Sequence, residues 1–230
     1  MPDFNNKIVD LPELRDRLFV FHHRMHAGEI LATMLKKYEN TNTIILAIPA
    51  GGVPVGDAIA RILKLPLNVA VVSKITLPWN TEVGYGAVAF DGTVGLNENF
   101  VKQLVLEDIE IKKGIENTQK KVQKRIEKFG LDKDPLNITN RPVILVDDGV
   151  ASGFTVLVAS KALKKIGCDE LILATPTGSL DNLNLLKSQF SRIYCANIRS
   201  GHTFAVADAY QQWSDVSEDE VMDILKKRCY

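Results

Sequence analysis

The sequence has few cysteines, no excess of either charge and no long apolar run, and each absence excludes a class of protein. The three cysteines, Cys168, Cys195 and Cys229, are odd in number and scattered, which excludes a disulfide framework and indicates a reducing compartment. Basic and acidic residues number 28 each, so no basic excess marks a nucleic-acid surface. No apolar run approaches the roughly 18 residues that a membrane-spanning helix requires.

The first residues, Met1 to Lys7, lack the apolar segment of a secretory signal peptide. We therefore expect a cytoplasmic protein, with neither membrane nor nucleic acid among its partners. The 230 residues contain no internal repeat, low-complexity tract or break in composition. A single domain over 1–230 is the expectation.

The chain is organised around residues 143–155, in which four apolar residues precede two carboxylates and a loop of small residues. Residues 143–146 show no polar alternation, as expected of a parallel strand that is covered on both faces. Thr155 opens an apolar-periodic segment, which predicts a helix over 153–166. The stretch therefore predicts a buried strand, a tight loop and the start of a helix.

The loop in this stretch is suited to bind an anion, because small residues leave backbone N–H groups open at a helix N-terminus. Asp147 and Asp148 would repel phosphate, and the partners that such carboxylates prefer are sugar hydroxyls and Mg²⁺. A ligand with a phosphate, a diol and a metal-bound group would satisfy the whole stretch. An ordinary strand–turn–helix with a solvated acidic turn is the alternative.

A second loop with open backbone follows the strand predicted at 43–48, where the sequence reads Pro49-Ala50-Gly51-Gly52. Two consecutive glycines between strand and helix let the backbone approach a ligand closely. A third strand, predicted at 67–72, leads to Lys74. In a doubly wound sheet these segments and the acidic pair would converge at the carboxyl ends of the strands.

Strands and helices alternate along the rest of the chain, which favours an α/β fold with a parallel sheet of about five strands. Residues 1–20 are expected to wrap the surface. The other predicted elements are a hairpin with an Asp-Gly turn over 87–96, strands over 170–175 and 192–196, and helices over 24–38, 55–63, 104–129, 181–189 and after Ser217.

Two further patterns are weak. Gly84 to Ala89 match the spacing of a dinucleotide-binding loop, but no buried strand precedes them, so such a site is disfavoured. His22, His23 and His26 have no nearby cysteine or carboxylate to complete a ligand set, which favours exposed rings over a metal site.

The segment from Val146 to Thr155 has two acidic residues, three variable residues, then Ser, Gly, one residue and Thr. It resembles the phosphoribosyl-pyrophosphate (PRPP) motif of type I phosphoribosyltransferases. The resemblance implies that Asp147 and Asp148 bind the ribose hydroxyls and that the loop binds the 5-phosphate. The implied phosphate contacts are Ala151, Ser152, Gly153 and Thr155, and the substrate-binding loop also includes Gly149, Val150 and Phe154.

The segment Pro-x-Gly-Gly-Val-Pro-Val resembles an uncharacterised branch of the same family, and in type I enzymes this loop binds pyrophosphate. The resemblance implies that Ala50, Gly51 and Gly52 contact the substrate. That branch usually has Arg where this chain has Ala50. Lys74 matches a basic residue that holds pyrophosphate in relatives.

The resemblance also implies the catalytic parts. Asp147 and Asp148 would orient the ribose and hold Mg²⁺, and Lys74 would stabilise the leaving pyrophosphate. No base is supplied by the motif, and Glu82, in the segment expected to form a mobile lid, is our candidate general base.

The implied fold is a doubly wound parallel sheet with a hairpin or lid insertion and a small hood, the hood and tail lying at about 1–25 and 199–230. In the family the hood selects the nucleophile, and Phe204, Tyr210 and Trp213 are candidates to stack on it. The implied activity is Mg²⁺-dependent transfer of ribose 5-phosphate from PRPP to a small-molecule acceptor such as a nitrogen base. Dimers are common in the family, so a homodimer is an expected assembly.

Three other functions stay open on the sequence. The first is a regulatory protein that binds PRPP without transfer. The second is a hydrolase that uses Ser152 with His202, although the residues around Ser152 do not form a G-x-S-x-G elbow. The third is a phosphoacceptor receiver with Asp147 or Asp148 as its target, which would leave the Ser-Gly-x-Thr loop unexplained.

Overall fold

A computed structural model of the chain describes residues 7–131, 138–201 and 203–227, and of Thr81 and Glu82 it describes only the backbone. The strands in these ranges are β1 (Ile8–Val9), β2 (Ile44–Ala47), β3 (Leu67–Val69), β4 (Val72–Leu77), β5 (Asn80–Ala89), β6 (Val94–Leu96), β7 (Val143–Val146), β8 (Leu171–Ser179) and β9 (Arg192–Arg199). The helices are α1 (Arg24–Met34), α2 (Gly52–Leu63), α3 (Glu98–Gln103), α4 (Asp108–Lys128), α5 (Phe154–Ile166), α6 (Leu180–Leu186) and α7 (Glu218–Lys226). Short 3-10 turns lie at Pro12–Leu14, Lys36–Tyr38 and Val206–Ala209.

Six parallel strands form the central sheet in the order β1-β9-β8-β7-β2-β3. From β2 the chain moves outward to β3, whereas from β7 it moves the opposite way through β8 to β9. The strand order therefore reverses between β2 and β7, and a crevice forms there beyond the carboxyl ends of the strands. The doubly wound α/β fold is confirmed, with six strands instead of about five.

The central strands are apolar at consecutive positions because helices cover both faces of the sheet. In β2, Ile44 and Leu46 pack in one core with α5, and Ile45 packs in the other core with α1 and α2. All four residues of β7 are fully buried. Continuous apolar runs are typical of such strands, so residues 143–146 could be identified from sequence alone.

A second, antiparallel sheet contains β4, β5 and β6, and α4 packs against it. The predicted hairpin is confirmed, with Gly92 at a φ of 82° and Asp91 Oδ1 accepting a hydrogen bond of 2.8 Å from the Thr93 N–H. Gly84 and Ala89 lie within β5. Because an extended strand does not cradle a pyrophosphate as a loop does, the dinucleotide hypothesis is wrong.

Several elements differ from the sequence-based prediction, and three of these differences concern the sheets and α2. Residues 67–72 form no single strand, because β3 ends in the central sheet at Val69 and β4 begins in the other sheet at Val72. Lys74 therefore lies inside an antiparallel strand. Helix α2 begins at Gly52, three residues before the predicted start, and residues 8–9 form an edge strand instead of wrapping the surface.

Helices α1 and α2 cross closely at Gly28. A Cβ added to Gly28 would lie 2.5 Å from the backbone oxygen of Val55 and 2.7 Å from the Cβ of Ala58, so the helices would have to separate. We expect Gly28→Ala to lower the free energy of unfolding by about 1–3 kcal/mol, despite the higher helix propensity of alanine. Urea unfolding measures the change. Gly201→Ala is the control, since its Cβ would meet nothing within 4 Å, and equal midpoints for the two variants would contradict the close crossing.

Candidate functional site

Two loops meet where the strand order reverses. Strands β2 and β7 are neighbours, with Ala47 paired to Val146 at their carboxyl ends. The loop after β2 leads through Gly51 into α2, and the loop after β7 runs from Asp147 to Gly153 before α5 begins. The sequence-based prediction that these loops converge follows directly from this topology.

The loop after β2 can lie against the end of β7 because Gly52, at the point of contact, has no side chain. A Cβ on Gly52 would lie 2.7 Å from the backbone oxygen of Val146 and 3.1 Å from the Cα of Asp147. The Pro49–Ala50 peptide bond is cis. The Gly52 N–H donates to Ile48 O at 3.0 Å, so a ligand would meet the N–H groups of Ala50 and Gly51 instead.

The loop after β7 presents a row of backbone donors to the crevice. In the part of the chain that the structure describes, the N–H groups of Gly149, Ala151, Ser152 and Gly153 in this loop, and that of Thr155 in the first turn of α5, have no hydrogen-bond acceptor. These groups precede or open α5, where the helix dipole also favours negative charge. Val150 anchors the loop, because its N–H donates to Thr177 O at 2.9 Å and its carbonyl accepts from Ser179. The loop is built to receive an anion.

The two carboxylates at the start of this loop have different surroundings. Asp148 Oδ2 accepts a hydrogen bond of 2.8 Å from Arg24 Nε, and its backbone oxygen accepts one of 2.6 Å from the hydroxyl of Tyr210. Among the described residues no cation forms an ion pair with Asp147, and its Oδ1 accepts the N–H of Asp148 at 3.0 Å. Burial, followed by the negative charge of Asp148, raises the pKa of Asp147 well above its ordinary value.

The raised pKa of Asp147 predicts how stability depends on pH. Because the folded state holds this proton more tightly than the unfolded state, its stabilising effect is complete below the ordinary aspartate pKa and is lost as pH rises through the raised pKa. The Asp147→Asn variant does not titrate at this position. Its stability advantage should therefore grow by up to about 1.4 kcal/mol per pH unit between those two values. Urea unfolding of both proteins at pH values from about 4 to about 8, which begin near the ordinary aspartate pKa, measures the difference in their stability. Parallel pH profiles would contradict the prediction.

Arg24 is a site residue that the sequence-based prediction missed. Its guanidinium lies 3.9 Å from the ring centroid of Trp213, and its Nη1 donates to Ser214 O at 2.7 Å. Arg24 is also the first residue of α1, where a positive charge opposes the helix dipole. That unfavourable position was the available signal, since a cation there requires an anionic partner, and the partner is Asp148.

One cavity of about 440 Å³ contains most of the predicted site residues. Those that line it are Ala50, Gly51, Lys74, Asp147, Asp148, Gly149, Val150, Ala151, Ser152, Gly153 and Thr155. Gly52 and Phe154 do not line it, and Phe154, the first residue of α5, packs against the hydrophobic core. Glu82 lies in β5, and its side chain is outside the part that the structure describes.

Helix α4 contributes two further cations to the cavity, Lys121 and Arg125. The Arg125 side chain is only 11% exposed, and its Nη1 donates a long hydrogen bond of 3.4 Å to Ser73 Oγ. The cavity therefore has carboxylates on one side and cations on another.

The donor set fits Mg²⁺ if a ligand supplies further oxygens. Mg²⁺ sites of this kind use one or two carboxylates together with substrate phosphates, and Asp147 and Asp148 provide the carboxylates. Within 7–131, 138–201 and 203–227, no group of three His, Cys, Asp or Glu side chains is placed to hold a metal ion alone. The same finding covers the histidines of α1 and its N-terminus, where His26 Nδ1 accepts the His22 N–H and His23 Nδ1 accepts the His26 N–H.

The hydrolase hypothesis requires Ser152 and His202. Ser152 lies in the loop between β7 and α5, and His202 lies outside the described residues. Among the helices in the described ranges, none is long and apolar enough to cross a membrane.

Comparison with known proteins gives a consistent result. A sequence model of the phosphoribosyl transferase domain matches residues 21–184. The chain is 32% identical over 209 residues to two curated proteins of Mycobacterium tuberculosis, named "Putative phosphoribosyl transferase Rv0571c" and "Putative phosphoribosyl transferase MT0597". The match covers 90% of this chain and 47% of each relative, so the chain spans about half the length of these relatives.

A solved structure extends the similarity to the fold. The crystal structure of TT1426 from Thermus thermophilus superimposes with a TM-score of 0.72 at 28% sequence identity. The superposition covers 90% of this chain and 98% of that protein. The two chains therefore share a fold over nearly the whole length of the Thermus thermophilus protein.

Proposed function

The chain belongs to the phosphoribosyl transferase domain family, and on that premise we propose that it binds PRPP and transfers ribose 5-phosphate to a small-molecule acceptor, with release of pyrophosphate. One observation carries the proposal: two carboxylates and a row of open N–H groups line the same cavity at the switch point of the sheet. A ribose 5-phosphate offers a diol to the first and a phosphate to the second.

In this proposal the loop before α5 binds the 5-phosphate. The N–H groups of Ala151, Ser152 and Gly153 and the hydroxyl of Thr155 donate to the phosphate oxygens, and the dipole of α5 adds to the attraction. Hydrogen bonds to a charged group contribute about 1.5–3 kcal/mol each. The phosphate thus fixes one end of the ribose.

The carboxylates bind the other side of the sugar. Asp147 and Asp148 accept hydrogen bonds from the ribose 2- and 3-hydroxyls. As the bond to pyrophosphate breaks, positive charge develops on the ribose ring, and two negative groups below it stabilise that charge. Asp147 must be ionised for this role, and the burial that raises its pKa in the free protein opposes that ionisation.

The leaving pyrophosphate lies on the opposite side of the cavity. Lys74 neutralises part of its charge, and the N–H groups of Ala50 and Gly51 donate to its oxygens. Asp147 and Asp148 would help to hold Mg²⁺, which would supply Lewis-acid stabilisation of the leaving group.

Glu82 is proposed as the general base that takes a proton from the acceptor. It lies in β5 beside β4, which carries Lys74. Glu82→Gln should lower kcat by about 10²–10⁴-fold, the usual contribution of a positioned base, with little change in the Kd for PRPP. Equal kcat values for variant and wild type would remove Glu82 from the mechanism.

The test of the proposed function is calorimetric titration of the protein with PRPP, with and without Mg²⁺, followed by measurement of pyrophosphate release with a panel of nitrogen bases. Saturable, Mg²⁺-dependent binding and release of pyrophosphate support the transferase. Binding with no release on any acceptor would favour the alternative, a regulatory protein that senses PRPP. No binding under either condition would contradict both.

A further inference from the structure

A groove beside α4 is lined by cations that the proposed transfer does not use. It has a volume of about 590 Å³ and opens between α4 and the start of α7. The charged residues that line it are Lys120, Lys121, Lys124, Arg125, Lys128 and Glu218. We call this the α4 groove.

Most of the positive charge in the α4 groove is uncompensated. Its carboxylate, Glu218, lies 3.1 Å from Arg125 Nε and 3.2 Å from Lys128 Nζ, so it serves those two cations. Over the described ranges, the three other lysines form no ion pair: Lys120, Lys121 and Lys124. The whole chain has a net charge of zero, so this positive field is local and attracts anions to one place.

The α4 groove adjoins the cavity that holds the carboxylates. Lys121 and Arg125 line both spaces. Arg125 also contacts Ser73, which precedes Lys74 in β4. An anion in the groove would therefore lie on the side of the cavity where Lys74 is, and away from the loop that precedes α5.

We propose that the α4 groove binds the phosphate of a second small molecule while PRPP occupies the cavity. The inference rests on the proposed function, because it assigns a chemical class to the partner of PRPP: a phosphate-bearing molecule instead of a neutral free base. Lys120 and Lys124 hold its phosphate, and Lys121 lies where the rest of the molecule enters the cavity. The same chemistry would suit an acceptor that is consumed or an effector that is not.

Binding is tested with inorganic tripolyphosphate as the probe, by calorimetry at about 0.15 M ionic strength, where exposed charges are largely screened beyond about 8 Å. The protein is first saturated with PRPP and Mg²⁺ so that the cavity is filled. We expect one tripolyphosphate per chain on the wild type and at least tenfold weaker binding to Lys120→Gln/Lys124→Gln. The control is Lys112→Gln/Lys113→Gln, which removes the same charge from the same helix outside the groove and should bind as the wild type does.

The two proposals fail separately. If PRPP does not bind, the proposed function fails. Titration of tripolyphosphate without PRPP into the wild type, Lys120→Gln/Lys124→Gln and Lys112→Gln/Lys113→Gln still measures binding in the α4 groove. No binding of tripolyphosphate to the wild type, or equal affinity in all three proteins, overturns the groove proposal whatever PRPP does.

Turnover separates the two sources of the phosphate. With matched pairs of phosphorylated and unphosphorylated amines and bases, an acceptor in the groove predicts pyrophosphate release with the phosphorylated member. The KM for that phosphorylated acceptor should rise at least tenfold in the groove variant, Lys120→Gln/Lys124→Gln, at unchanged kcat. An effector predicts that a phosphorylated compound changes the rate without being consumed, and that this change is lost in the groove variant. Turnover of unphosphorylated acceptors with no influence of phosphorylated compounds would contradict the proposal.

Discussion

Asp148→Asn should weaken PRPP binding by about 100-fold, equivalent to about 2.7 kcal/mol. The substitution keeps the shape of the side chain and removes its charge. A sugar hydroxyl bonded to a charged acceptor contributes about 1.5–3 kcal/mol, and the Asp148 side chain is only 16% exposed, so water does little to replace it. Calorimetric titration with PRPP and Mg²⁺ measures the loss.

The fold should survive this change, because the asparagine Oδ1 can still accept the hydrogen bond from Arg24 Nε. Asp215→Asn is a matched control, since it removes the same charge from an exposed position that does not line the cavity. Thermal unfolding of both variants separates lost binding from lost structure. Full PRPP affinity in a folded Asp148→Asn protein would exclude this carboxylate from the ribose site.

Gly51→Ala should reduce PRPP affinity to a similar extent while the backbone stays intact. Gly51 has a φ of −62° and a ψ of −31°, a helical conformation that alanine adopts freely. The added Cβ would overlap Asp148 Oδ2 and lie 2.5 Å from Asp148 Cγ. The carboxylate must then turn away from Arg24 and from the position where it would meet the ribose.

The double variant Gly51→Ala/Asp148→Asn sharpens this prediction. Both changes act through one side chain, so their effects on binding should fall short of the sum of the single effects. Gly201→Ala, whose Cβ meets nothing within 4 Å, should bind PRPP as the wild type does. Strictly additive losses would show that Gly51 acts on PRPP independently of Asp148.

The central strands were predictable because the signal for each of them lies in a few consecutive residues. A strand covered on both faces needs an unbroken apolar run, and residues 143–146 have one. Residues 67–72 show the limit of this signal. Their apolar run continues through Ala70 and Val71, both fully buried, while the chain leaves one sheet and joins the other, so burial alone does not reveal the change of partner.

The site was predictable where its chemistry is contiguous and not where it is assembled by folding. The small residues and carboxylates of 147–155 follow one another in sequence, so their loop was identified. Arg24 reaches Asp148 across 124 positions. In the sequence, Arg125 is one of many basic residues on a charged helix. Only the fold shows that it lies beside Ser73.

The contacts of Asp148 also determine when the site can form during synthesis. One comes from Arg24 near the beginning of the described chain, and the others come from Tyr210 and, through Arg24, from Ser214 near its end. Chains emerge from the ribosome N-terminus first. A nascent chain that already contains the loops after β2 and β7 therefore has Arg24 but still lacks Tyr210 and Ser214, which hold the Asp148 backbone and Arg24 in place, and it gains them only after β9 has emerged.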